Sequence, residues 1–406
     1  MVVGARPNFM KISPIIRAID KHNNTPNSAF PAIHYLLVHT GQHYDFNMSD
    51  SFFKDLRLPE PDLYLGVGSG THGEQTGNVL IKFEKVLLKE RPDLVIVVGD
   101  VNSTLACALA SVKLNIPVAH VEAGLRSFDR TMPEEINRLL TDAISDYLFT
   151  PSPDADQNLK REGIPEDKIF LVGDVMVDSL LFNLENAKKS NILERLGLTQ
   201  NPHSGTQIPN PHFPISNPKS KIQNLKSVRS YALLTLHRPS NVDNKESFLK
   251  IITALTEISK RIPIIFPAHP RTRKQIEAFD FQHYFTDSTT QNSELRTKNC
   301  AIHLVDPQSY LDFINLMAHA KVVLTDSGGI QEETTVLGIP CLTLRDTTER
   351  PITISQGTNV LVWNDTDKII EEAFKILDGR EKKGNCPKFW DGKTAERIVD
   401  ILANTL

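Results

Sequence analysis

The sequence predicts an α/β protein of two doubly wound, Rossmann-like domains, and three observations carry that expectation. The chain has 406 residues, about twice an ordinary domain of roughly 100 to 200. Short uninterrupted apolar runs alternate with stretches of helical periodicity, the rhythm of a parallel sheet covered on both faces. Those runs end repeatedly in ionisable or glycine-rich segments, and ligands of open parallel sheets bind beyond the carboxyl ends of the strands. The first domain is expected over 1–176 and the second over 177–389, with a terminal helix at about 390–406 packing back on the first.

The opening strand, Met1 to Val3, is shorter than the usual five or six residues, so the chain start is expected to lie late or to be clipped. From Glu74 onward, Thr76, Leu80, Phe83 and Leu87 fall at helical spacing before the apolar run Leu94 to Val98. Asn102 and Ser103 suit the cap of a helix over Thr104 to Leu114, and Pro117 to Val121 is the next strand. The rhythm resumes with Ile169 to Val172, Tyr231 to Leu236, Pro263 to Phe266, Ala301 to Leu304, Lys321 to Leu324 and Leu342 to Leu344. One stretch breaks it. Thr199 to Ser230 repeats Asn-Pro, is rich in Pro, Asn, Ser and Lys, and is short of large apolar residues. It is expected to be a mobile surface insertion of the second domain, with no packed core of its own.

Composition excludes several function classes. A formal net charge of −4 without basic runs speaks against a nucleic-acid or membrane-surface partner. The four cysteines, Cys107, Cys300, Cys341 and Cys386, form no CxxC pair, so they suggest reduced, mostly buried thiols rather than zinc or redox chemistry. No apolar run approaches the roughly 20 residues of a membrane span, and a cytoplasmic protein is expected. There is no GxxxxGK[ST] phosphate loop, and the glycines Gly66 to Gly70 do not stand between a strand and an immediate helix. The acidic Asp154 to Asp156 turn has no companion ligands. No cofactor and no metal are expected.

The richest stretch is Leu324 to Gly338, a buried strand that stops at Asp326 and Ser327 before Gly328 and Gly329 open a helix. Unpaired N–H groups and the macrodipole make a helix start an anion site, and glycines let the backbone approach a diphosphate closely. Glu333, a turn inside, can accept hydrogen bonds from sugar hydroxyls. An ordinary Asp/Ser cap with a tight glycine turn is the plainer alternative. Elsewhere, Arg6 and Lys11 follow the first strand, Asp100 the second apolar run, Glu122 and Arg126 the third; His237-Arg238, His269 and the segment Arg345 to Arg350 follow strands of the second half. Each has a structural alternative: Asp100 as a helix cap, Glu122 as partner of Arg126, His269 as a satisfied loop histidine, Arg138 as an i,i+4 partner of Glu134. Accident would rarely place so many ionisable groups at strand ends in both halves.

GARPNFMK, TGQHYD, GDVNST, HVEAGLRS, MPEEINR, LTLHRPSN, PAHPRT, TDSGGIQEE and RDTTERP occur in order across nearly the whole chain. Together they resemble the non-hydrolysing UDP-N-acetylglucosamine 2-epimerases. The resemblance implies the GT-B architecture, two Rossmann-like domains facing across a cleft, and a homodimer. It implies reversible epimerisation at C2 of UDP-N-acetylglucosamine to UDP-N-acetylmannosamine, through UDP elimination to 2-acetamidoglucal and re-addition. The C2 proton is only weakly acidic, so C1–O cleavage must be helped by stabilising the departing diphosphate, and proton exchange on two faces calls for several carboxylates. By resemblance Asp100, Glu122, Glu134 and His237 are catalytic, the choice of acid and base staying open. Arg6, Lys11 and Arg138 hold the substrate, Ser327, Gly328 and Gly329 the phosphate, Glu333 the ribose, and Phe313 and Arg350 the uracil region. Some members bind a second nucleotide-sugar as activator, beside Gln42 and His43 here, although TGQHYD departs from that pattern after His43.

Three rivals share parts of this evidence. A GT-B glycosyltransferase would use the same UDP site but needs an acceptor groove. A 2-epimerase of a modified UDP-sugar, such as a diacetamido uronate, would keep the chemistry, and GARP at the start occurs in such relatives. A nucleotide-sugar sensor would bind without turnover.

Overall fold

The protein is described by a computed structural model over residues 1–26, 30–42, 59–199, 228–287 and 301–405. It divides into two compact units: Met1–Phe182 together with Lys388–Leu406, and Asn183–Pro387.

In the first unit β1 (Val2–Val3), β2 (Val38–His39) and β3 (Leu63–Tyr64) pair in that order, while β4 (Val95–Val98), β5 (Val118–Val121), β6 (Tyr147–Thr150) and β7 (Ile169–Leu171) form a second run. Every pairing is parallel, and β1 packs beside β4. The chain therefore winds outward one way from β1 and the other way from β4, which makes the β1/β4 junction a topological switch point. The core explains the apolar runs: all four residues of β4 and of β5 are buried, as strands covered on both faces must be.

The helices α1 (Arg6–Asn23), α2 (His72–Glu90) and α3 (Asn102–Lys113) cover this sheet. A capping box closes the start of α2, Thr71 accepting from Glu74 N and Glu74 from Thr71 N. Its buried face is Gln75, Val79, Phe83 and Leu87, so the expected Thr76 and Leu80 stand one residue off, half-buried. The cap of α3 also differs from expectation. Val101 is the N-cap, and Asn102 and Ser103 lie inside the first turn, where tertiary partners outcompete capping: Asn102 Nδ2 donates to Gln75 Oε1 (3.0 Å) and Ser103 Oγ to Gln42 Oε1 (2.7 Å).

The second unit is a single seven-stranded parallel sheet. Its strands are β8 (Ala232–Thr235), β9 (Ile264–Pro267), β10 (Phe285–Asp287), β11 (Ile302–Val305), β12 (Val322–Thr325), β13 (Cys341–Thr343) and β14 (Asn359–Leu361). Their order is 10-11-9-8-12-13-14, so the winding direction reverses between β8 and β12. Residues 200–227 of the expected insertion lie outside the described residues, but Thr199 and Val228 at its ends meet in an antiparallel bridge.

The last helix of the chain, Thr394–Thr405, packs on α1 within the first unit. Two contacts fix its approach. Trp390 Nε1 donates to Pro151 O (2.9 Å), and Asp178 accepts from Thr394 N (3.1 Å) and Ala395 N (2.8 Å), capping the helix from a distance. Burial pushes the Asp178 carboxyl up to about 6, against those two hydrogen bonds. Of the cysteines, Cys107 and Cys341 are buried as expected, Cys386 is exposed, and Cys300 lies outside the described residues. Among the described residues no helix is long and apolar enough to cross a membrane.

Ile398, fully buried on the last helix, tests that docking. Ile398→Ala is expected to destabilise the first unit by about 2–5 kcal/mol in urea unfolding, the usual cost of such a cavity. Leu88→Ala, at a residue 57% exposed, is expected to stay within about 0.5 kcal/mol; equal losses at both positions would contradict the packing.

Candidate active site

Ionisable side chains collect at the carboxyl ends of the strands in each unit, beside the two switch points. In the first unit, Asn8 ties the junction together. Its Oδ1 accepts from Gly4 N (3.2 Å) and Ala5 N (2.9 Å) after β1, and its Nδ2 donates to Val98 O (2.8 Å) at the end of β4. One turn on, the Lys11 ammonium donates to Glu122 Oε2, both side chains being buried. Taking either charge out of water alone would cost several kcal/mol, so each requires the other. Glu122 follows β5 with φ +73°, a conformation costly for a residue with a Cβ and concentrated at functional sites. Gly99 is required beside it. Its φ is +68° and a Cβ there would stand 2.7 Å from Lys11 Nζ.

Asp100, the next residue, accepts from Arg138 Nη1. Arg138 lies on α4 (Pro133–Ile144) and also donates to Glu135 Oε2 from Nε (2.9 Å) and Nη2 (2.6 Å). Its helical partner is thus Glu135 at i,i+3, rather than Glu134. Glu135 takes two further donors, Ser127 N (3.0 Å) and Phe128 N (2.9 Å). Burial opposes its ionisation, but the Ser127 amide and Arg138 outweigh burial and hold it below the usual range. Glu134 is half-buried in the first turn of α4, where the macrodipole favours a carboxylate.

A second layer stabilises the same loops. His120, inside β5, meets Asp142 Oδ1 with Nδ1 (2.6 Å) and Gly99 O with Nε2 (2.8 Å). Asp142 also accepts from Gly124 N (3.0 Å) and pairs with Arg126 Nη1 (2.7 Å). Arg126 in turn clasps Glu162 with Nε (2.8 Å) and Nη2 (2.6 Å), so it is not the partner of Glu122. Burial alone would raise the Asp142 carboxyl, but His120 and Arg126 hold it down. The network joins the backbone that follows β4 to the backbone that follows β5, the two segments that carry Asp100 and Glu122.

In the second unit the helix α5 (Gly328–Leu337) starts at the end of β12, with Ser327 as N-cap but without a side-chain cap bond. The plainer Asp/Ser cap is therefore not what is built. Asp326 is instead wholly buried and accepts from His237 N (3.0 Å), Arg238 N (2.8 Å) and Asn241 Nδ2 (3.2 Å). Burial opposes its charge, but the donors from His237 and Arg238 keep its carboxyl below the usual range. The Arg350 guanidinium lies against the helix opening: a Cβ on Gly328 would come 2.6 Å from its Nη1. It donates to Glu332 and stands 3.6 Å from Glu349. Glu349 accepts a bidentate pair from Arg345 (2.7 and 2.7 Å), with Arg238 at 3.9 Å. Glu333 is buried and accepts from Tyr310 OH (3.0 Å), and Phe313 lies half-buried on the helix Tyr310–His319.

The remaining expectations fall less tidily. Arg6 opens α1 at the switch point. Gln42 is buried, its amide oxygen taken by Ser103 N (3.1 Å) and Ser103 Oγ (2.7 Å), while His43 lies outside the described residues. His269 N-caps the helix Pro270–Ala278, accepting from Arg271 N (3.2 Å), which is the structural alternative anticipated for it. Sequence reasoning missed Asn8, His120, Glu135 and Asp142. The one available signal was His120 itself, a polar residue within the apolar run VAHV.

A family model described as UDP-N-acetylglucosamine 2-epimerase matches residues 27–403. Among curated relatives, the UDP-N-acetylglucosamine 2-epimerase of Methanocaldococcus jannaschii is 45% identical over 404 residues, covering 99% of this chain and 98% of its own. The UDP-2,3-diacetamido-2,3-dideoxy-D-glucuronate 2-epimerase of Pseudomonas aeruginosa is 40% identical, with the same coverage. Among solved structures, the Methanocaldococcus jannaschii enzyme in complex with UDP-GlcNAc and UDP superposes with a TM-score of 0.80 at 44% identity, over 99% of this chain and 98% of that one. The Neisseria meningitidis UDP-GlcNAc 2-epimerase bound to UDP-GlcNAc gives 0.77 at 31% identity, with the same coverage.

Glu349 tests the electrostatics of the second unit. Its carboxyl is held far below its ordinary value of 4.5 because Arg345, Arg350 and Arg238 outweigh burial. The stabilisation is therefore present above about pH 4.5 and is lost as pH falls below it. Glu349→Gln is expected to cost the second unit about 3–5 kcal/mol at pH 7 by leaving a buried arginine without its carboxylate. The gap should narrow on acidification towards pH 3 in denaturant titrations; a gap independent of pH would contradict the assignment.

Proposed function

Because the chain belongs to the UDP-N-acetylglucosamine 2-epimerase family, we propose that it interconverts UDP-N-acetylglucosamine and UDP-N-acetylmannosamine by inversion at C2. The observation that carries this choice is the placing of Asp100 and Glu122 after the adjacent strands β4 and β5, with Glu134 on the helix that follows. Inversion requires a proton to leave C2 on one face and another to arrive on the opposite face, work for positioned carboxylates. Lys11 lies against Glu122 and Arg138 against Asp100, so a cationic partner orients each carboxylate.

The second unit carries groups suited to a leaving diphosphate. Gly328 and Gly329 open α5 toward a diphosphate, with His237 and Arg350 as cationic or hydrogen-donating neighbours and Glu333 for ribose hydroxyls. Phe313 offers an apolar surface suited to the uracil region. Breaking C1–O leaves charge on the diphosphate, and donors preorganised around it lower that barrier more than they tighten substrate binding.

A second substrate has specific support. The Pseudomonas aeruginosa relative, named for the diacetamido glucuronate, is 40% identical over 405 residues, close to the figure for the Methanocaldococcus jannaschii relative. The same strand-end carboxylates and nucleotide cradle serve either sugar, because the two differ at C3 and C6 and not at C1 or C2.

Proton NMR of the purified protein with each UDP-sugar decides between them. UDP-N-acetylglucosamine and UDP-N-acetylmannosamine are expected to reach the same mixture from either side, with the larger kcat/KM for this pair. Glu122→Gln is expected to lower turnover by about 10²-fold, a usual loss for an acid or base, while UDP still binds in calorimetry. A preference for the diacetamido uronate would transfer the assignment to that sugar. Release of free sugar, or no turnover of either, would remove the epimerase assignment.

A further inference from the structure

We propose that Asp326 is a positioning residue that fixes the His237 imidazole so that Nε2 alone faces the leaving diphosphate. The proposal rests on the assignment of the second unit to the nucleotide, and it adds a residue that acts on the reaction through His237.

The geometry begins at the switch point of the second sheet. His237 comes two residues after the end of β8 and Asp326 directly after β12, neighbouring strands on either side of the reversal. Asp326 is wholly buried, while the His237 side chain is 50% exposed. Three of the donors to Asp326 are structural: His237 N, Arg238 N and Asn241 Nδ2 shape the turn that follows β8. The fourth is His237 Nδ1, 3.1 Å from Asp326 Oδ1. Those three fall on Oδ2, whereas Oδ1 faces only His237, its N at 3.3 Å and its Nδ1 at 3.1 Å. The Oδ1 contact therefore ties the ring to the carboxylate.

An ionised carboxylate can only accept, so the ring nitrogen facing Asp326 is the one that carries hydrogen. The outward nitrogen is therefore Nε2, with χ2 held by the same contact. A carboxylate that orients a histidine and sets its tautomer is a known arrangement in hydrolase triads, where its loss leaves the site intact but the ring misassigned. Here the reaction differs. In the elimination, the C2 proton passes to a carboxylate and the C2–H electron pair becomes the C1–C2 double bond. The C1–O pair leaves on the diphosphate oxygen, which becomes a terminal oxygen of UDP. When the ring is protonated, Nδ1–H stays on Asp326 while Nε2–H donates a hydrogen bond to that oxygen as charge develops and keeps its hydrogen; in re-addition the oxygen re-forms its bond to C1 and a proton arrives at C2 from the opposite face.

Three measurements test the role. Nitrogen-15 NMR of histidine-labelled protein, with His237 identified by its absence in His237→Gln, is expected to show hydrogen on Nδ1 in the neutral ring. In Asp326→Asn the ring is expected to move to the Nε2–H form usual for a free imidazole, with kcat reduced by about 10²-fold and KM changed far less. In the His237→Gln background, Asp326→Asn is expected to lower kcat by less than about threefold, since its route to the chemistry is already gone. A neutral wild-type ring with hydrogen on Nε2 would overturn the proposal even if Asp326→Asn did not fold. Equal kcat losses in both backgrounds would overturn it too, because they would mark Asp326 as structural only. Full turnover by His237→Gln would instead withdraw His237 from the leaving-group side; the tautomer signals would still report whether Asp326 fixes the ring.

Discussion

A carboxylate removed from water must find donors or a cation, and that constraint organises both strand-end constellations of this protein. Glu122 is buried because Lys11 is buried with it. Glu135 is buried because Arg138 and two backbone amides surround it, and Arg138 then has a hydrogen left for Asp100. Asp142 is held by His120 and Arg126, and Asp326 by the turn after β8. Cutting any of these pairs leaves an uncompensated buried charge, a loss of about 3–5 kcal/mol. The stability of each unit is therefore bound to the ionisable groups at its strand ends.

Topology explains why the pairs form where they do. Parallel strands deliver their carboxyl ends to one edge, and at a switch point the following loops diverge and leave room between them. In the first unit, Asn8 bridges that divergence from β1 to β4, and the His120 network joins the segments after β4 and β5. In the second, Asp326 bridges from β12 to the turn after β8. Each bridging residue is polar, buried and local to one edge.

Much of this was legible in the residues. The alternation of apolar runs and helical periodicity predicts the parallel α/β class, because strands covered on both faces cannot alternate polar and apolar side chains. Strand-end residues such as Asp100, Glu122 and His237 could be singled out because they directly follow such runs. Strands of two or three residues, such as Val38–His39, Leu63–Tyr64 and Asn359–Leu361, carry too little pattern to show. Partner choice was also hidden. Arg126 had a nearby glutamate in Glu122, yet it pairs with Asp142 and Glu162, and Arg138 adds Asp100 to its helical partner Glu135. The pairings with Asp142, Glu162 and Asp100 depend on which loops the sheet brings together, and spacing along one helix or strand does not encode that.

Exchange at C2 tests the central claim, the proposed inversion by elimination and re-addition. The protein is incubated with UDP-N-acetylglucosamine in deuterated water, stopped well before equilibrium, and the product sugar is read by NMR and mass spectrometry. Elimination followed by re-addition predicts one deuterium at C2 of the newly formed UDP-N-acetylmannosamine and none at any other carbon. Epimerised product that retains protium at C2 would contradict the account, because inversion would then have proceeded without an exchangeable carboxylic acid on either face.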